Sequence, residues 1–133
     1  MKLPDQTTLD RQICEALPDL LASLEKLEEL DLSALDSDRT ALFIVDMVNG
    51  AVEGAMSSPR VGEMIAPIAK LAVRCHEAGI PVVAFADHHT ADSIELESYP
   101  PHCLAGTDEA RLCQEIAEAC PCTLIEKNST NGF

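Results

Sequence analysis

Three residues in the second half of the chain have side chains suited to holding a divalent metal. Asp87 and His89 stand two positions apart in Phe85-Ala86-Asp87-His88-His89-Thr90, and His102 follows thirteen residues later in Tyr99-Pro100-Pro101-His102-Cys103. One carboxylate and two neutral imidazoles suit zinc foremost, with manganese or iron as alternatives. Such a polar cluster is costly inside a core and useful in a cleft. Asp46 and Lys127 add an acid and a cation, each directly after an apolar run.

Those runs are the elements that must position the charges. Thr40-Ala41-Leu42-Phe43-Ile44-Val45, Ile80-Pro81-Val82-Val83-Ala84-Phe85-Ala86 and Cys122-Thr123-Leu124-Ile125-Glu126 have strand length and β-branched content. The first two lack apolar–polar alternation, which fits strands covered on both faces of a parallel sheet. Asn49-Gly50 reads as a turn or loop. Ser57-Ser58-Pro59 reads as a helix start, with a Ser cap and Pro at the first helical position. That helix turns Val61, Ile65, Ile68, Leu71, Ala72 and Cys75 inward and stops at Gly79. A polar loop over residues 87–106 leads to a helix over residues 108–119, capped by Thr107, which partly buries Ala110, Leu112, Cys113, Ile116 and Ala117. Residues 128–133 read as loop.

The order is therefore β-α-β-α-β, which predicts parallel strands joined by right-handed crossovers. Ligands bind such sheets outside the carboxyl ends of the strands. Connectivity alone then gathers Asp46, Asp87 with His89, and Lys127 at one crevice. Each also has a plain structural use. Asp46 can cap a turn, Asp87 can open a loop, His102 can pack between Pro and Cys, and Lys127 can pair with acidic surface. His88 is expected to point away from His89 and is not taken as a ligand. Tyr99 fits a loop contact as well as a substrate contact.

Residues 1–39 form a separate region. Leu9, Ile13, Leu17, Leu20, Leu21, Leu24, Leu27 and Leu30 recur at helical spacing with acids on the other face. Pro18 is expected to divide this leader into two helices, and Asp36-Ser37-Asp38-Arg39 reads as a linker. The acidic polar face argues against a membrane-surface role.

The chain has 133 residues, room for one such domain. Its 23 acids against 9 bases give a net charge of −14, which argues against nucleic acid as a partner. No apolar stretch is long enough to span a bilayer, and the first residues lack the apolar run of a signal peptide. A cytoplasmic location and six reduced cysteines follow as expectations. Cys120-Pro121-Cys122 is C-x-C and reads as buried thiols at a strand start rather than a redox or metal motif.

At four places the residues resemble one family, the isochorismatase-like cysteine hydrolases, nicotinamidases above all. Phe43-Ile44-Val45-Asp46-Met47-Val48-Asn49-Gly50 is similar to the first-strand motif, Asp87-His88-His89 to the D-x-H metal motif, and Pro100-Pro101-His102-Cys103-Leu104-Ala105-Gly106-Thr107 to W-P-x-H-C-x-x-G-T. Glu126-Lys127-Asn128-Ser129-Thr130-Asn131-Gly132-Phe133 is similar to the segment holding a catalytic Lys. Together they cover residues 40–133 in family order. The departures concern substrate contacts. Val48, Gly50 and Ala51 replace the Gln, Asp and Phe of D-x-Q-N-D-F, and His88 and Tyr99 stand where Trp is common. No cysteine occupies the nucleophile's place, which lies on the carboxyl side of the lysine.

The resemblance implies a three-layer αβα fold with a parallel sheet, of which residues 40–133 are the N-terminal half. It implies a small-molecule amide such as nicotinamide as substrate, Asp46 for proton transfer, Lys127 for lowering a thiol pKa, and Asp87, His89 and His102 as metal ligands. The nucleophilic Cys is expected beyond residue 133, so the 133 residues alone are expected to be inactive. The open sheet edge implies a homo-oligomer or a missing C-terminal half. Two other readings stay open: an inactive half-domain serving as a binding or assembly module, and a related isochorismatase-type hydrolase of another small substrate.

Overall fold

A computed structural model describes residues 6–24 and 28–131, which fall into two units, Met1–Asp31 and Leu32–Phe133. Leu27 of the helical repeat and residues 132–133 of the final loop lie outside the described residues. Among the described residues, the first unit holds one helix, α1 (Gln6–Leu24). Pro18 sits inside it and does not divide it. A proline removes one backbone hydrogen bond, and here the turns on both sides keep helical geometry. Leu30 lies outside the helix, and Ile13, Leu17, Leu20, Leu21 and Leu24 are exposed.

The second unit begins with a short 3-10 turn, Leu32–Ala34. Leu32 and Leu35 pack on the main core, so these residues belong with the sheet. The elements β1 (Leu42–Val45), α2 (Asn49–Glu53), α3 (Pro59–Glu77), β2 (Val82–Asp87), α4 (Gln114–Ala119) and β3 (Thr123–Lys127) follow. The sheet order is β1-β2-β3 and all pairs are parallel, as the β-α-β-α-β pattern predicts. Ile44 is in register with Ala84, and Ala84 with Leu124, on one face. Ile44, Val82 and Ala84 meet Ala69, Ala72 and Cys75 of α3 and Ile116 of α4 in the core. Ile80 and Ile116 are each 2% exposed, and each such burial contributes about 2 kcal/mol.

Pro59 does open α3, with Ser58 as its cap residue, although the Ser58 side chain makes no capping hydrogen bond. Gly79, at φ +75, ends the helix in the left-handed conformation that costs glycine least. Its N–H donates to His76 O, and Ile80 N–H donates to Cys75 O, which turns the chain straight into β2.

Three expectations need correction. Asn49-Gly50 starts α2 rather than forming a turn, because Asn49 N–H donates to Arg111 O and is held there as the first helical residue. The expected helix over 108–119 is split into a 3-10 turn, Asp108–Ala110, and α4. Leu112 forms an antiparallel bridge with Val48, and Cys113 N–H donates to Met47 O, so residues 111–113 are extended. Ala117 is consequently exposed.

Leu71 is also 38% exposed, although its helical position predicts burial. It lines an apolar groove of about 440 Å³ along β1 with Phe43, Val45, Met64 and Ile68. Among the described residues β1 pairs only with β2, so its other side is a sheet edge beside exposed Phe43 and Val45. Among the described residues, no helix is long and apolar enough to cross a membrane.

Gly79→Ala should lower stability by about 1 kcal/mol in urea denaturation. A Cβ at Gly79 would meet Ser37 Cβ at an ordinary 3.9 Å, so the cost is backbone strain. An unchanged midpoint would contradict the left-handed cap.

Candidate functional site

β1, β2 and β3 end side by side. The first residue after β1 is Asp46, β2 ends in Asp87, and β3 ends in Lys127, in register with Asp87. Asp46 adopts φ +61 while its N–H still donates to Phe85 O. A short polar side chain tolerates that conformation, which turns the chain out of the sheet. Lys127 is 6% exposed. Its Nζ lies 2.9 Å from Asp46 Oδ1, pairs with Asp87 Oδ1, and donates to Ser129 O at 3.2 Å. Desolvation works against the ammonium, but the bonds to Asp87 and Asp46 outweigh it and raise the Lys127 pKa above 10.5. The group is therefore a fixed cation at neutral pH.

His89 and His102 are both buried, with ring centroids 4.7 Å apart. His102 Nδ1 lies 2.8 Å from Pro100 O. A carbonyl only accepts, so Nδ1 carries the proton and Nε2 keeps its lone pair. His89 Nδ1 lies 3.4 Å from Ser93 Oγ, whose own proton goes to Asn128 O at 2.9 Å. Ser93 thus accepts from His89 Nδ1, and His89 Nε2 is also left with a lone pair. That nitrogen is fully buried and has no hydrogen-bond partner. Ligand atoms of Asp87, His89 and His102 lie within 4.8 Å of one another. A buried orphan imidazole nitrogen, two rings held by their other nitrogens and a carboxylate fit a divalent metal. His88 lies apart, 3.7 Å from Glu126, as expected.

The acid Glu95 completes the surroundings. Its Oε2 is 3.9 Å from His89 Nε2. Hydrogen bonds from Thr130, side chain first and then backbone, hold its pKa below the usual carboxylate value. Asn128 clips the final segment to the loop after β2 by accepting from Thr90 N–H and donating to Thr90 Oγ1, both at 2.9 Å. Neither residue stands out in the sequence. Glu95 lies among several loop acids, and only the 3-10 turn Ile94–Glu97 sets it beside His89.

Asp46, Asp87, His102 and Lys127 line one pocket of about 240 Å³ with Glu95, Tyr99 and Cys103, while the apolar wall is Val48, Ala51 and Met56. Tyr99 is half-exposed, with its ring 6.4 Å from that of His102. Burial first, then the Asp87, Glu109 and Asp46 carboxylates, push the Cys103 thiol up to about 11. It stays protonated at neutral pH, the opposite of an activated nucleophile. All six cysteines are free.

The model of the isochorismatase domain matches residues 40–133. Nicotinamidase 1 of Arabidopsis thaliana is 34% identical over 131 aligned residues, covering 90% of this chain and 53% of that protein. That coverage exceeds the family match and extends into the leader. Among solved structures, N-carbamoylsarcosine amidase from Thermoplasma acidophilum is similar with TM-score 0.66 and 30% identity over 71% of this chain and 54% of its own. The pyrazinamidase of Pyrococcus horikoshii in complex with zinc has TM-score 0.59 and 26% identity, over 66% and 51%. The nicotinamidase/pyrazinamidase from Bacillus subtilis has TM-score 0.60 and 27% identity, over 71% and 58%. The chain spans about half the length of these relatives.

Lys127→Met should cost about 3 kcal/mol at pH 7.5 in urea denaturation, because Asp46 and Asp87 then lose their shared cation. A raised folded pKa means that the ammonium's contribution is whole below 10.5 and is lost as pH climbs through the folded value. The gap between parent and variant should therefore narrow only above about pH 10.5. A gap that closes near neutrality would contradict the pairing.

Proposed function

The chain belongs to the isochorismatase domain family, with nicotinamidases among its relatives, and from that premise we propose that it is the N-terminal part of a metal-dependent cysteine amidohydrolase. The substrate is a small amide of the nicotinamide type, converted to the acid and ammonia. The observation that carries this reading is the buried, partnerless Nε2 of His89, set between Asp87 and His102 beside the Asp46–Lys127 pair.

In this reading Asp87, His89 and His102 hold the metal, and zinc is the first choice, as in the Pyrococcus relative. When bound, such an ion supplies a Lewis acid that can hold a substrate's ring nitrogen. The remaining chemistry belongs to the chain's own side chains. Asp46 takes the proton of a cysteine thiol, and Lys127 stabilises the thiolate while holding Asp46 in place. The thiolate attacks the amide carbonyl, a C–S bond forms and the C–N bond breaks. Asp46 returns the proton to the departing nitrogen, and ammonia leaves. Water then adds to the thioester, a C–O bond forms, the C–S bond breaks, and the acid is released with the thiol restored.

Cys103 is held protonated and faces carboxylates, so the proposal takes the nucleophile from a segment outside residues 1–133. The apolar groove along β1 is assigned to the same missing half. A further strand parallel to β1 would end beside Asp46, at the pocket that needs the thiol.

The test is zinc titration and ammonia release on one preparation. The chain should bind one zinc, and His89→Ala and His102→Ala should each weaken binding by at least about a hundredfold. Nicotinamide should yield no ammonia with residues 1–133 alone. It should yield ammonia when they are joined to a C-terminal isochorismatase segment bearing the cysteine. Turnover by residues 1–133 alone would overturn the placement of the nucleophile, and absence of zinc binding would overturn the metal role.

A further inference from the structure

Cys103 is one of two described non-glycine residues with positive φ, at +45, and it directly follows His102. A residue with a Cβ is uncommon in that region and is held there by its surroundings. One support is the strand extension. His89 N–H donates to Cys103 O at 2.9 Å, and Ala105 N–H donates to His89 O at 2.8 Å. The other is Glu109, whose Oε2 accepts from Cys103 N–H at 3.0 Å.

Glu109 is itself firmly seated. It lies in the 3-10 turn Asp108–Ala110, which is tied to the start of α2. Asn49 Nδ2 donates to Asp108 O and Oδ2 at 3.1 Å, and Asn49 N–H donates to Arg111 O at 2.9 Å. The close approach is permitted by glycine. A Cβ on Gly50 would lie 2.6 Å from Cys103 Sγ and 3.2 Å from Glu109 Cβ. Position 50 thus leaves no room for a side chain between Cys103 and Glu109.

We propose that Glu109 is a positioning residue of the metal site: its carboxylate fixes the left-handed turn at Cys103 and so aims His102 at His89. This rests on the metal reading above and adds to it a residue that neither touches the ligand cluster nor lies in its motifs. Its effect passes through His102. Removing Glu109 frees the Cys103 N–H, loosens the turn and lets the His102 ring drift from the shared focus with His89.

The experiment combines zinc titration of the chain with NMR of the metal-free protein. E109A should weaken zinc binding about tenfold or more. E109Q, whose amide oxygen still accepts from Cys103 N–H, should stay within about threefold of the parent. Adding E109A to H102A should change nothing further, since the pathway is already cut. Without metal, E109A should speed exchange of the Cys103 amide and shift the His102 ring resonances. Where E109A fails to fold, E109D, one methylene short, takes its place in every arm. Unchanged zinc binding in E109A, equal weakening by E109A and E109Q, or the same loss in the H102A background would each overturn the proposal. A parent chain that binds no zinc removes the metal reading, and the metal-free resonances then decide: shifted His102 signals uphold the positioning role and unshifted ones overturn it.

Discussion

A buried ammonium between two carboxylates is the constraint on which the rest of this site depends. Lys127 sits at the end of β3 and has almost no access to solvent, so it must be paired to stay charged. Asp46 and Asp87 provide the pairing from the ends of the two other strands. The interaction therefore joins all three strand ends at the carboxyl edge of the sheet. It also constrains the backbone, since Asp46 must leave β1 through a left-handed residue to face the lysine. Asp87 belongs to both groups, because the oxygen that meets Lys127 is also 3.7 Å from His89 Nε2. The charge pair and the candidate metal cluster therefore share one carboxylate.

In the two imidazoles, the state of one ring nitrogen is set by what the other one does. Pro100 O fixes one ring, and Ser93, itself committed to Asn128 O, fixes the other. Both Nε2 atoms are left as acceptors. Segments far apart in sequence are needed for this. The loop after β2, the Pro-Pro turn and the segment after β3 each contribute one bond.

Much of this was legible in the sequence because it follows from pattern and connectivity. Uninterrupted apolar runs separated by a helix of the right length leave parallel strands as the simple solution, and parallel strands place Asp46, Asp87 and Lys127 together. The Asp-x-His spacing and the later His102 singled out three side chains that the fold brings within 4.8 Å of one another. What was not legible depends on tertiary pairing. Glu95 and Glu97 look equivalent on paper, and only the 3-10 turn separates them. Residues 111–113 have helical spacing, but their pairing with Met47 and Val48 is a better use of their backbone. Pro18 signals a break that its helix does not make. The exposure of Leu71 reflects the open edge of β1, which no local pattern reveals.

Convergence of the His89 and His102 lone pairs and the Asp87 carboxylate on one metal is testable by diffraction at the zinc edge from crystals of the zinc-loaded protein. One anomalous peak should lie within about 2.0–2.2 Å of His89 Nε2, His102 Nε2 and an Asp87 oxygen, with Lys127 still paired to Asp46. A peak at other residues, or a His89 Nε2 hydrogen-bonded to a protein group with no peak beside it, would contradict it.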